Sequence, residues 1–214
     1  MPVYYLVYQR VDAGARILLA RKNIYYGGNR HPYFRPHEWP VPLNNAGQIV
    51  IPGGNPPQGF FGVQGARREF REEVGINFDD DQVRGWDCVG DEWRYSPGNF
   101  VTYYQRVEDV ADLVARGNAA IGAHGLRVHA ELLHVFAVDS AQPGFGRTAP
   151  QLQGDLAAQY NDLGAWHQHH PHPPLNAPPK AADPQKWAGD RMADDPGWYT
   201  SSVQYFNQHL DQHP

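Results

Sequence analysis

Three glutamates, Glu69, Glu72 and Glu73, stand at i, i+3 and i+4 within residues 63–74. The same segment places Val63, Ala66, Phe70 and Val74 three or four residues apart, an apolar stripe of helical period. On that helix the three carboxylates project from neighbouring positions. Like charges at this spacing repel one another and call for a counter-cation. Arg71 lies among them in sequence but points away from their face. A hard divalent ion with oxygen ligands, Mg²⁺ or Mn²⁺, suits such a set. The competing interpretation is a solvated acidic face held by pairs such as Arg68–Glu72 at i,i+4, which is the commoner outcome for an isolated R-E-x-x-E-E. Gly75 follows as a helix-ending glycine, and Ile76 can pack back against the last turn.

The wider arrangement, residues 53–76, favours the cation. A short apolar run ends in Ile51-Pro52-Gly53-Gly54, a loop follows, then the helix, then Gly75. This segment resembles the Nudix signature G-x5-E-x7-R-E-U-x-E-E-x-G-U, where U is a bulky apolar residue. Aligned on Gly54, the chain supplies Arg68, Glu69, Phe70, Glu72, Glu73, Gly75 and Ile76 at the required spacing. One position departs: the glutamate expected in the loop falls on Phe60, and the acidic residue often found just before it falls on Pro57.

The resemblance implies an α/β (α+β) fold, the Nudix α/β/α sandwich with a mixed β-sheet. It implies metal ligation by Glu69, Glu72, Glu73 and the backbone carbonyl of Gly53. The reaction it implies is attack of water on phosphorus in a nucleoside diphosphate linked to another group, or in a related organic diphosphate. The cation would neutralise the diphosphate and activate water, and Glu69 or Glu73 would take the proton. In that family the missing glutamate pairs with the arginine aligned here with Arg68. Arg68 must therefore orient the carboxylates through another partner or contact phosphate, and Phe60 itself offers it no ion pair. The alternative is a catalytically weak Nudix-fold module that senses a nucleotide metabolite or docks on a protein. Many family members are homodimers, so a homodimer is a further expectation.

The elements that must hold this helix are legible around it. Residues 3–11 and 16–21 read as a β-hairpin, 48–51 as a short strand, 85–95 and 99–107 as strands, 108–120 as a helix, and 131–138 as a strand. Residues 153–167 read as partly helical and 198–210 as an amphipathic helix. No repeat or interdomain linker is evident, so residues 1–214 are expected to form one domain with two elaborations. Residues 23–47 form an aromatic insertion in which Tyr33 and Trp39, beside Arg30 and Arg35, could stack a base and grip phosphate, or simply pack the loop. Residues 167–184 are rich in His and Pro, and their HQHHPH run is more often a surface loop than a zinc site.

Composition narrows the classes further. The net charge is −5 with both signs mixed along the chain, unlike the basic footprint of a nucleic-acid binder. The single cysteine, Cys88, excludes an intrachain disulfide and fits a reducing, cytoplasmic setting. No leader peptide or membrane span is expected from the apolar runs. The 27 aromatics (6 Trp, 12 Tyr and 9 Phe) among 19 Pro and 22 Gly imply loops that pack rather than float.

Overall fold

In the computed structural model, which describes residues 1–12, 14–22, 49–80, 87–124, 132–140 and 197–213, the first strand is buried on both faces. This strand, β1 (Val3–Val11), turns Val3, Tyr5 and Val7 into one core and Tyr4, Leu6 and Tyr8 into another. A strand with both faces covered reads as a continuous apolar run, which VYYLVY is. It pairs antiparallel with β2 (Gly14–Lys22), from Val7 opposite Leu18 to Val11 opposite Gly14.

Pairing between β1 and β2 ends at Val7 and Leu18, and residues 49–54 take over the space beyond. β3 (Ile49–Val50) bonds to β2 at Ala20 and Arg21, and β4 (Gly53–Gly54) bonds to β1 at Val3 and Tyr4. Between them the Tyr5 N–H donates to the Pro52 carbonyl at 2.9 Å. The glycine pair is thus stitched into the sheet. β5 (Trp93–Tyr95), β6 (Val101–Arg106) and β7 (Leu132–Asp139) complete a seven-stranded sheet among the described residues. β6 runs parallel to β1 from Val3–Val101 to Tyr8–Arg106, whereas β5 and β7 pair antiparallel with β6 and β2, so the sheet is mixed.

Helices cover both faces. α1 (Gly62–Val74) and α2 (Val110–His124) bring Ala66, Phe70, Val74, Val110 and Leu113 onto Val3, Tyr5, Val7 and Leu18. The Asp109 carboxylate starts α2 by accepting from the N–H groups of Ala111 at 2.8 Å and Asp112 at 3.2 Å. On the opposite face α3 (Gly197–His209) and its 3₁₀ extension (Leu210–Gln212) lay Val203, Phe206 and Leu210 over Leu6, Tyr8, Ile17 and Trp93. The expected α/β/α layering with a mixed sheet is the observed one. Among the described residues no helix is long and apolar enough to cross a membrane.

Two expectations shift. Of the described residues 87–95 within the expected strand, only Trp93–Tyr95 is a strand; Cys88, half-buried, makes a single bridge to Val107, and Gly90 at φ +69° interrupts the extended run. α2 runs on to His124 rather than stopping at 120. Its Gly117 lets it lie close, since a Cβ there would come within 2.9 Å of Val74 Cγ1. The expected aromatic insertion at 23–47, the helical stretch at 153–167 and the His/Pro-rich stretch at 167–184 lie outside the described residues.

Phe70 anchors α1 to the sheet: it is fully buried and meets Tyr5 and Phe78 at ring-centre distances of 5.6 and 5.3 Å. Phe70→Ala should lower unfolding stability by about 3–5 kcal/mol, measured by urea titration. A loss below about 1 kcal/mol would show that α1 is held by other contacts.

Candidate metal-binding site

α1 carries the candidate carboxylates on one flank and an anchor on the other. Its buried stripe is the expected one, extended by Gly65 and Arg67, and it ends at Gly75, whose φ of +82° is left-handed and whose N–H donates to the Arg71 carbonyl at 2.9 Å. Glu73 leans toward the sheet, where its Oε2 accepts from the Gly53 N–H at 2.8 Å. Glu69 lies over Gly54: a Cβ on that glycine would sit 2.7 Å from Glu69 Oε2. Two of the three expected carboxylates therefore meet the glycine pair. The contact recorded for Gly53 uses its N–H, whereas the sequence pointed to its carbonyl as a ligand.

Glycine is required at position 53 on geometric grounds. Its φ is +149°, and a Cβ would collide with the Val3 carbonyl oxygen and lie 2.7 Å from Tyr4 Cα. The neighbouring Tyr4 phenol is pushed up to about 12 by burial, with the Glu73 charge adding to the effect. Both point to a carboxylate flank set against the first strand.

Glu72 goes elsewhere. Its Oε1 accepts from Arg68 Nε at 2.8 Å, one helical turn back, in a pair whose side chains keep 27% and 34% of their surface exposed. The Arg68 guanidinium also lies over the Phe60 ring, 4.3 Å from its centre. Phe60 gives Arg68 no ion pair, as expected, but it does give it a π-face. The loop explains how. Pro56 packs on Gly65, and a turn from Pro57 to Phe60 folds the ring back onto the helix, leaving Phe60 39% exposed. With Glu72 turned to Arg68, no group of three acidic, His or Cys side chains among the described residues is gathered as a metal-holding cluster. The donors fit a hard cation in chemistry and number, provided Glu72 swings toward Glu69 and Glu73.

The opposite flank holds a feature that the sequence did not reveal. Arg67 is 7% exposed and forms a two-pronged pair with Glu92, Nε to Oε1 at 2.9 Å and Nη2 to Oε2 at 2.7 Å, and reaches Asp79 at 3.2 Å. The Tyr5 hydroxyl donates to the same Glu92. Burial works against the Arg67 charge, but Tyr5 and Glu92 outweigh it and raise its pKa; burial first and Glu92 second drive the Tyr5 phenol up. A helical wheel puts residue 67 beside the apolar stripe, the one hint available; nothing in the sequence pairs it with a glutamate 25 positions on. The candidate substrate residues Arg30, Tyr33, Arg35 and Trp39 lie outside the described residues.

Fold and site together define an α/β protein with a carboxylate-bearing helix seated on a glycine pair stitched into its sheet. No family model matches the sequence, and no curated protein matches it. Among solved structures, the chain is similar to a Caenorhabditis elegans Ap4A hydrolase in a binary complex, at 12% identity over 79% of this chain and 100% of that one, with a TM-score of 0.36. It is similar to a MutT/Nudix family protein from Listeria innocua at 12% identity, over 75% and 92% of the two chains, with a TM-score of 0.35. For the Nudix domain of Shewanella oneidensis NrtR complexed with ADP-ribose the figures are 16%, 65% and 72%, and the TM-score is 0.30.

The two glycines should respond differently to one methyl group. Gly53→Ala meets backbone and should destabilise the fold by about 1–3 kcal/mol. Gly54→Ala meets only the flexible end of Glu69, so it should fold normally and displace that carboxylate. Thermal melting and Mn²⁺ titration of both variants test this. Equal stability of the two would refute the stitching of Gly53 against β1.

Proposed function

We propose that this chain is a Nudix-type hydrolase that cleaves a nucleoside diphosphate linked to another group, or a related organic diphosphate, with Mg²⁺ or Mn²⁺. The observation that carries this reading is the convergence of Glu69 and Glu73 on Gly53-Gly54, with Glu72 one turn away on the same helix. The R-E-F-R-E-E-V-G-I spacing supports it. A divalent ion held by Glu69, Glu72 and Glu73 would supply the positive charge that a diphosphate and its attacking water need. The protein's own contribution is rigidity: Phe70 in the core, Glu73 on the Gly53 N–H and Arg67 on Glu92 hold α1 from three sides. Glu69 and Glu73, the two carboxylates that meet the glycine pair, are the candidate proton acceptors.

A second reading, a weakly catalytic module that binds a nucleotide metabolite, draws support from the Arg68–Glu72 pair, which occupies one of the carboxylates. A panel of nucleoside diphosphate derivatives, with Mg²⁺ or Mn²⁺ and phosphatase-coupled phosphate release, separates the two readings. Turnover of any member favours the hydrolase; tight binding without turnover favours the module.

Glu69→Gln keeps the shape of the side chain and removes its charge. It should lower kcat by at least about 100-fold, the range for a lost general base, while the thermal midpoint stays or rises as repulsion with Glu72 and Glu73 is relieved. Activity near that of the wild type would remove this helix from the reaction.

A further inference from the structure

We propose that Phe60 and Arg68 form a latch on Glu72 that sets how tightly α1 takes up a divalent cation. This inference rests on the reading of α1 as a cation site. Among the described residues, Glu72 is the one acidic partner of Arg68, and Phe60, which holds the guanidinium from its face, is neutral. Glu72 alone therefore answers the Arg68 charge. Glu69 and Glu73 stand at the Gly53-Gly54 step, while Glu72 is drawn the other way along the helix surface. For Glu72 to join them it must leave Arg68, and that cost is subtracted from the binding of the cation.

The ring matters as much as the ion pair. A contact over the ring, 4.3 Å from its centre, steadies the guanidinium, while its Nε donates to Glu72. The loop turn from Pro57 to Phe60, packed through Pro56 on Gly65, fixes the ring in place. A carboxylate at position 60 would act in the opposite sense, giving Arg68 a second anion and releasing Glu72. Position 60 is 39% exposed, so a charge can be accepted there without burial.

The test is Mn²⁺ titration of the full chain at neutral pH, read by loss of the free-ion electron paramagnetic resonance signal, with thermal melting to confirm folding. Arg68→Gln and Phe60→Glu should each tighten Mn²⁺ binding about two- to fivefold, the range expected for a partly exposed ion pair. Phe60→Trp keeps a π-face and should bind as the wild type does. Arg71→Gln removes the same charge from the same helix away from Glu72 and should change affinity by less than half as much as Arg68→Gln. Wild-type affinity in both Arg68→Gln and Phe60→Glu would overturn the latch. So would equal tightening by Arg71→Gln, which would reduce the effect to net charge. If neither wild type nor any variant takes up Mn²⁺, the cation site itself fails, and the latch fails with it.

Discussion

The hydrogen bond from the Gly53 N–H to Glu73 joins the sheet to the helix, and the geometry of the candidate site depends on it. It exists because β1 and β2 part company after Val7 and Leu18, leaving a gap that residues 49–54 fill with two paired residues on each strand. Filling that gap needs a residue with no side chain, because the backbone of β1 lies within contact distance. The glycine pair is therefore first a solution to a packing problem in the sheet. Its exposed N–H then becomes a fixed point against which a carboxylate can be held.

α1 is gripped unequally. On one flank Glu73 accepts from a backbone N–H; on the other, the buried Arg67 joins Glu92 and Tyr5 and reaches the exposed Asp79. Removing Glu92 would leave the Arg67 guanidinium, only 9% of its side chain exposed, without its two-pronged partner. The helix is thereby held on the side away from Glu69 and Glu73 as well as through the Glu73 contact with Gly53.

Much of the architecture was legible because it obeys simple periods. The continuous apolar and aromatic run VYYLVY marked a strand, and the three-to-four spacing of Val63, Ala66, Phe70 and Val74 marked the face by which α1 meets the sheet. Gly75 marked the end of α1 for a conformational reason that sequence states directly. The less legible parts were those that depend on pairing across distance: the rungs of Gly53-Gly54 on β1, the Arg67–Glu92 pair, and the turn that lays Phe60 on Arg68. Read as a missing charge, Phe60 looked like a simple loss; an aromatic face is an electrostatic partner that a charge-based reading overlooks. The strand expected over 85–95 shrank to three residues, because one left-handed glycine outweighed a β-prone composition.

The second core has a consequence for how the protein is made. Tyr8, Trp93, Tyr104 and Leu6 are covered by Val203, Phe206 and Leu210, and Arg10 of the first strand donates to the Leu210 carbonyl at 2.9 Å. A ribosome releases the first strand roughly two hundred residues before its cover, counted from Arg10 to Leu210. Once Tyr104 is made, the Leu6, Tyr8, Trp93 and Tyr104 surface still lacks Val203, Phe206 and Leu210, whereas α1 and, soon after, α2 are available to the other core. Translation speed and chaperone access between the synthesis of Tyr104 and that of Leu210 should therefore govern the yield of folded protein.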